Sequence, residues 1–445
     1  MPAAPAGPGP GFAIPVCEDR PHNAECVFSY FRRFFLMNAS ASPAAGEGLL
    51  AGYTVIDFTR VLAGPYCTRL LADLGARVIK IERPGEGDEI RYTIRQLDEG
   101  RIDQSSYFVR LNAGKQGISI NLAHAGASEL VHDLIRDADV VVENFSPGVM
   151  ARYGFDAKTL RAKRPDLVYC SISGFGQTGP WSSMQAYAHL INAISGMMEL
   201  ERSGYAEPKA SNLQAADVLA GTQAFGAVCA ALLRKERTGA GATLDISMLE
   251  SLISADDMSF NILLNGGEAQ RIPRVGMIVH AIGDRYVALQ TAGAPHLWTR
   301  LVKMIGKPEL ENDPRFATVL ARRENWIELQ QIYKDWLDTF DNADDAIAAL
   351  AEARVPHAPM LMPEEVVEHP HLHARQAFPE VDHPAAGKVR VTATPFHVDG
   401  EPTHPQSRAP YRIGENTRAV LADYLGYTAE KIDALREAGV IEIPD

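Results

Sequence analysis

Residues 53–82 read YTVIDFTRVLAGPYCTRLLADLGARVIKIE, and this stretch decides the fold. Tyr53–Phe58 is a short β-branched and apolar run, which reads as a strand. Gly64-Pro65 marks a helix start, because proline suits a first helical turn. Leu70, Leu71 and Leu74 form the apolar stripe of that helix, and Gly75 is its natural stop. Arg77–Glu82 is the next strand. A strand–helix–strand unit of this kind predicts a parallel α/β sheet of Rossmann type.

The alternation continues outward. Residues 117–121, 140–143, 167–173 and 244–248 read as further strands, with a helix near 128–135 and a long apolar helix over about 212–236. The character changes near Asn265-Gly-Gly267. Beyond it, 286–289 reads as a strand, and 295–305 and 326–340 as amphipathic helices. This predicts a second, smaller α+β domain over 271–389, with a tail, 390–445, that returns to the large domain, 49–270. Residues 1–48 differ in composition. They open with MPAAPAGPGPG and carry an aromatic, basic stretch at 26–37, so a disordered or leader segment is expected, with Met37 as a plausible true start.

The chain has 445 residues, 46% hydrophobic and 22% charged, with a net charge of −13. A surface so negative repels nucleic acid and anionic lipid, so neither is an expected partner. An anionic ligand would need a few placed arginines. The cysteines, Cys17, Cys26, Cys67, Cys170 and Cys229, fit no metal or disulfide spacing, so no metal site is expected and a reducing cytoplasm fits best. No apolar run is expected to reach membrane-spanning length.

Three features carry possible chemistry. Gly174-Phe-Gly-Gln-Thr-Gly179 matches the dinucleotide glycine pattern, yet Pro180-Trp181-Ser182 follows where a helix should run on, so a tight loop lining another ligand is the better reading. Arg83 stands at the end of the second strand. There it either faces a phosphorylated ribose or is a solvated surface arginine. Asp217 lies among Ala215, Ala216 and Ala220, with no other acid between Glu207 and Glu236. It either caps a helix or acts as a partly desolvated nucleophile on an activated acyl carbon.

Together these stretches resemble family III CoA-transferases (the CaiB/BaiF type). The likeness rests on residues 55–67, 70–82 with Gly85-Glu-Gly-Asp88, Asp139–Gly148, Arg152-Tyr-Gly-Phe155, Ser173–Pro180, Ser195-Gly-Met197, Asp313-Pro-Arg-Phe316 and Val355-Pro356, and spans about 50–430. The resemblance implies an acyl-CoA:carboxylate transferase built as an interlocked homodimer. Asp217 would be the nucleophile, and coenzyme A would enter as substrate with no further cofactor. It implies CoA contacts from Leu62, Ala63, Arg83, Ile120, Asn121, Asn144, Phe145, Ser146, Arg152 and Tyr187. Gly266 and Gly267 would stand for a mobile glycine loop. Backbone amides near 174–179 would serve as oxyanion donors.

The chain departs from the family at Tyr187-Ala188-His189, where many relatives carry a second acid at the position of Ala188. That departure leaves two alternatives to transfer. One is an α-methylacyl-CoA racemase, which needs a His–Asp pair; Tyr187 stands where that His would be, and His189 is expected to point elsewhere on its helix. The other is a CoA-binding subunit completed by a related chain.

Overall fold

The computed structural model describes residues 48–93, 95–201, 207–256, 259–268, 275–291 and 295–444. The expected leader segment lies outside them, except for Gly48.

The large sheet is built from β1 (Thr54–Asp57), β2 (Arg77–Glu82), β3 (Gln116–Ile120), β4 (Val140–Glu143), β5 (Val168–Ser173) and β6 (Thr243–Ser247). Its order is β3-β2-β1-β4-β5-β6, all parallel, as in doubly wound nucleotide-binding folds. Strands β1, β4 and β5 are buried along their whole length, because helices cover both faces. Alternate residues serve the two layers. Ile56, Ile79, Ile118 and Val141 pack under α2 (Ala127–Arg136) with Val420, Leu421 and Ile432 of the C-terminal segment. Val55, Val78, Val140 and Cys170 face α1 (Ala63–Asp73) and, past α3 (Ala188–Ile194), the long α4 (Ala215–Thr238).

The edge of β3 is closed by Ile441–Glu442, which pairs antiparallel with Ile120 and Ser119. That pairing removes an open strand edge. Residues 275–359 carry a core of their own among the described residues. A three-stranded antiparallel sheet, Met277–Ile282, Arg285–Gln290 and His357–Pro359, packs on helices Pro295–Met304, Trp326–Leu337 and Ala343–Glu352 through Ile278, Leu289, Leu301, Tyr333 and Leu350. The strand Met277–Ile282 is additional to the sequence reading.

One expectation is corrected. By length and composition, α4 is apolar enough to cross a membrane. Its buried stripe, Ala216, Ala220, Ala224 and Val228, nevertheless joins the core against α1 and the sheet. Gly221 explains how closely the two helices meet, since a Cβ there would lie 2.5 Å from the Ala63 carbonyl oxygen.

Candidate active site

A crevice of ≈ 750 Å³ opens outside the C-terminal ends of β1 to β4. The strand order reverses between β1 and β4, and ligands of such sheets bind at that point. Of the expected CoA contacts, Arg83, Ile120, Asn121, Phe145 and Ser146 line it, together with Arg60, Lys80, Asp88 and Tyr153. Arg83 pairs with Glu86 at 2.9 Å, and Arg60 with Glu89 at 3.1 Å. All four side chains are largely exposed. Such pairs contribute little, so an incoming phosphate can displace the carboxylates from the arginines.

The remaining expected residues sit elsewhere. The Asn144 side chain is engaged with the Arg60 backbone, accepting its N–H and donating to its carbonyl, both at 2.8 Å. The Leu62 side chain is buried among Ile90, Phe108 and Val109, which leaves only its backbone for a ligand. Arg152 is exposed on the helix Val149–Tyr153, and Tyr187 is 68% exposed; neither lines the crevice. Gly266 and Gly267 close the helix Ser259–Leu264, donating to the Leu263 and Ile262 carbonyls. Gly266 takes φ +81°, which suits a helix stop.

Asp217 does not line the crevice either. It is the third residue of α4, and the backbone amide of Ala63, the first residue of α1, acts on its carboxylate and favours the ionised form. The residues just before, 58–60, form one wall of the crevice, so a single turn joins the cavity to this carboxylate. Gly221, one helical turn after Asp217 and on the same face, lets α4 come close enough for that contact. Burial pushes the Asp217 carboxyl up to about 6, against the Ala63 amide and the positive form of His189, which favour the anion. His189 is therefore electrostatically coupled to Asp217, a relationship that its spacing from Tyr187 did not reveal.

Tyr107 was also missed. Its hydroxyl donates to Gln214 Oε1 at 3.2 Å, and burial, with the charge of Asp217 adding, pushes it up to about 12. Its only sequence signal was a tyrosine opening a short helix. Beneath Phe145, the Glu143 carboxylate accepts the Phe145 N–H at 2.9 Å and is pushed up to about 7 by burial.

The loop 174–179 is not followed by a helix until Ala188, which agrees with a non-dinucleotide reading. Gly174 serves packing, since a Cβ there would lie 2.0 Å from the Cβ of Ala186, while Gly176 and Gly179 take φ +82° and +93°. The Gln177 N–H is already bound to the Asp245 carboxylate at 2.9 Å, so this amide is no open oxyanion donor; the amide placed beside Asp217 is that of Ala63.

The fold and site are those of an open α/β sheet with an arginine-rimmed crevice and a desolvated carboxylate one turn away. The chain belongs to CoA-transferase family III, whose description matches residues 50–417. It is 30% identical over 408 residues to the succinyl-CoA:glutarate CoA-transferase of Mus musculus, covering 88% of this chain and 90% of that one. It is 31% identical over 415 residues to a formyl-CoA:oxalate CoA-transferase of Escherichia coli, covering 87% and 98%. A solved CaiB/BaiF family protein from Brucella suis superposes with a TM-score of 0.71 at 31% identity, covering 85% of this chain and 99% of that one.

Proposed function

We propose that the chain moves CoA from an acyl-CoA thioester to a short carboxylic acid, with Asp217 as the nucleophile. An Asp217 oxygen attacks the thioester carbonyl, the C–S bond breaks, and CoA leaves as thiolate from a mixed aspartyl anhydride. The thiolate then attacks the aspartyl carbon, which releases the donor carboxylate and leaves an aspartyl-CoA thioester. The acceptor carboxylate displaces the thiolate to form a second anhydride. Attack of the thiolate on the acceptor carbon gives the new thioester and frees Asp217. These steps move acyl groups and thiolate only, and use no metal or redox group.

The observation that carries this reading is the desolvated Asp217 carboxylate at the start of α4, packed against the start of α1 at Ala63, one turn from the crevice. The Ala63 amide is placed to stabilise an oxyanion on the aspartyl carbon. An anhydride survives only where water is kept out. Tyr187, Leu190 and Leu213 expose large apolar surface in the segments leading to His189 and Asp217, which supports a homodimer that covers them. The dicarboxylates named for the two relatives make short dicarboxylic acids the first acceptors to try.

The test is exchange of labelled CoA between thioester and free carboxylate. Asp217→Ala should abolish it while the variant still binds CoA; unchanged exchange ends the proposal. A second reading is α-proton transfer, for which His189, whose charge acts on Asp217 without a direct bond to it, would have to close on the substrate with that carboxylate. A 2-methylacyl-CoA that takes up deuterium at its α-carbon faster than it exchanges CoA would establish it.

A further inference from the structure

The turn between β1 and α1 is strained where it meets Asp217. Val61 has φ 65°, in the left-handed region that a β-branched residue avoids. Such a conformation persists only when its surroundings hold it. Here three side chains from outside the turn do so. Lys80 Nζ donates to the Thr59 carbonyl at 2.7 Å. Asn144 clamps the Arg60 backbone through both its N–H and its carbonyl. Asp88 accepts the Val61 N–H at 3.1 Å and is itself ion-paired with Lys80 at 2.9 Å. The Asp88 backbone N–H rests on Glu82, whose carboxylate is gripped by Arg91 through two bonds of 2.7 Å. Leu62 follows as the N-cap of α1 without any side-chain cap, and the next amide, that of Ala63, meets Asp217.

We infer that Asp88 and Asn144 are positioning residues for the transfer reaction: by holding Val61 in the left-handed region they aim the Ala63 N–H at the Asp217 carboxylate. This rests on Asp217 being the nucleophile. A slack turn would leave the carboxylate without its amide, harder to ionise and without the donor that meets the oxyanion. The other side chain acting on Asp217 is His189 on α3; Tyr107, beside Gln214, feels the charges of both Asp217 and Asp88, so Asn144→Ala is the variant that leaves it unchanged.

The experiment is the pH profile of kcat/KM for the donor half-reaction, measured on the full chain, with kcat alongside. Asp88→Ala and Asn144→Ala should each lower kcat about tenfold or more and move the acid limb to higher pH. Asp88→Asn returns an acceptor oxygen to the Val61 N–H and should move the limb back toward the parent. So should Val61→Gly in the Asp88→Ala background, because glycine takes this φ without being held. If Asp88→Ala does not fold, Asn144→Ala decides, since it removes only the clamp on Arg60. Acid limbs that coincide with the parent in the Ala variants that fold would overturn the inference, as would failure of both rescues. Asp217→Asn in the same assay separates the two claims. Residual turnover there removes the nucleophile itself, whereas a dead Asp217→Asn with unmoved limbs removes only the positioning role.

Discussion

The amide of Ala63, the first residue of α1, favours the ionised carboxylate of Asp217, the third residue of α4. Two helix N-termini therefore converge on one anion, and both dipoles favour its charge. Burial still wins and pushes the carboxyl from its usual 3.8 to about 6. Only the ionised form attacks a thioester. Release of CoA thiol from the donor should therefore fall as pH drops through about 6, with an intact fold. Rapid-mixing thiol release between pH 5 and 8 checks this; a flat profile would mean that another group limits the step.

The same burial makes Asp217 a stability cost above pH 6. Folding raises this carboxyl above its unfolded value, so the folded state binds more protons between about pH 4 and 6, and stability is lost as pH rises through that window. The loss is complete by pH 8 and amounts to at most about 3 kcal/mol. Asp217→Asn keeps an acceptor for Ala63 and should be more stable than the parent at pH 8, with the gap closing at pH 4. Urea unfolding at the two pH values measures it. Equal stability at pH 8 would show that the carboxylate is not desolvated.

Gly221→Ala tests the helix contact that delivers Asp217. The added Cβ would meet the Ala63 carbonyl oxygen at 2.5 Å and lie close to the Tyr66 ring, so α1 and α4 must separate. Overpacking of this kind costs about 1–3 kcal/mol. The variant should melt earlier and lose kcat by more than the lost stability explains, because Asp217 and Ala63 sit on the faces that part. A loss of stability with kcat retained would uncouple the helix contact from the chemistry.

The parallel sheet was legible because its strands are buried on both faces and read as short, mostly apolar runs, as in Val140–Glu143 and Val168–Ser173. The helix after β1 was legible from Gly64-Pro65 and Gly75. Met277–Ile282 is framed by Gly276 and by Gly283-Asp284, a two-residue turn into Arg285–Gln290 that the sequence reading did not use. What was hidden depends on contacts between distant segments. Asp88 belongs to a recognisable glycine-rich stretch, but its grip on Val61, 27 residues earlier, is a tertiary fact. Lys80 reads as the polar tooth of an amphipathic strand and is in truth fully buried, ion-paired to Asp88 and bonded to Thr59. Asp217 stood out as a lone acid among small residues; that it would meet the α1 amide followed only from Gly221 and the close approach it permits.

Arg83 provides a test of the crevice that is independent of Asp217. Its guanidinium lies at the rim, 73% exposed and paired with the equally solvated Glu86, so breaking that pair costs the folded protein almost nothing. A ligand phosphate gives the same arginine a stronger, charge-assisted partner. Arg83→Ala should therefore leave the melting temperature and kcat close to the parent and raise KM for the acyl-CoA donor by about five- to tenfold. The effect should shrink as salt rises, because the contact is exposed and screened. If the partner is the phosphate on the adenosine ribose, a dephospho-CoA thioester should show the high KM with the parent and no further penalty with Arg83→Ala. If both donors lose equally in the variant, Arg83 meets the pyrophosphate, and Arg60, the other crevice arginine with an exposed ion pair, is the next to test, since Arg60→Ala would then discriminate the two donors.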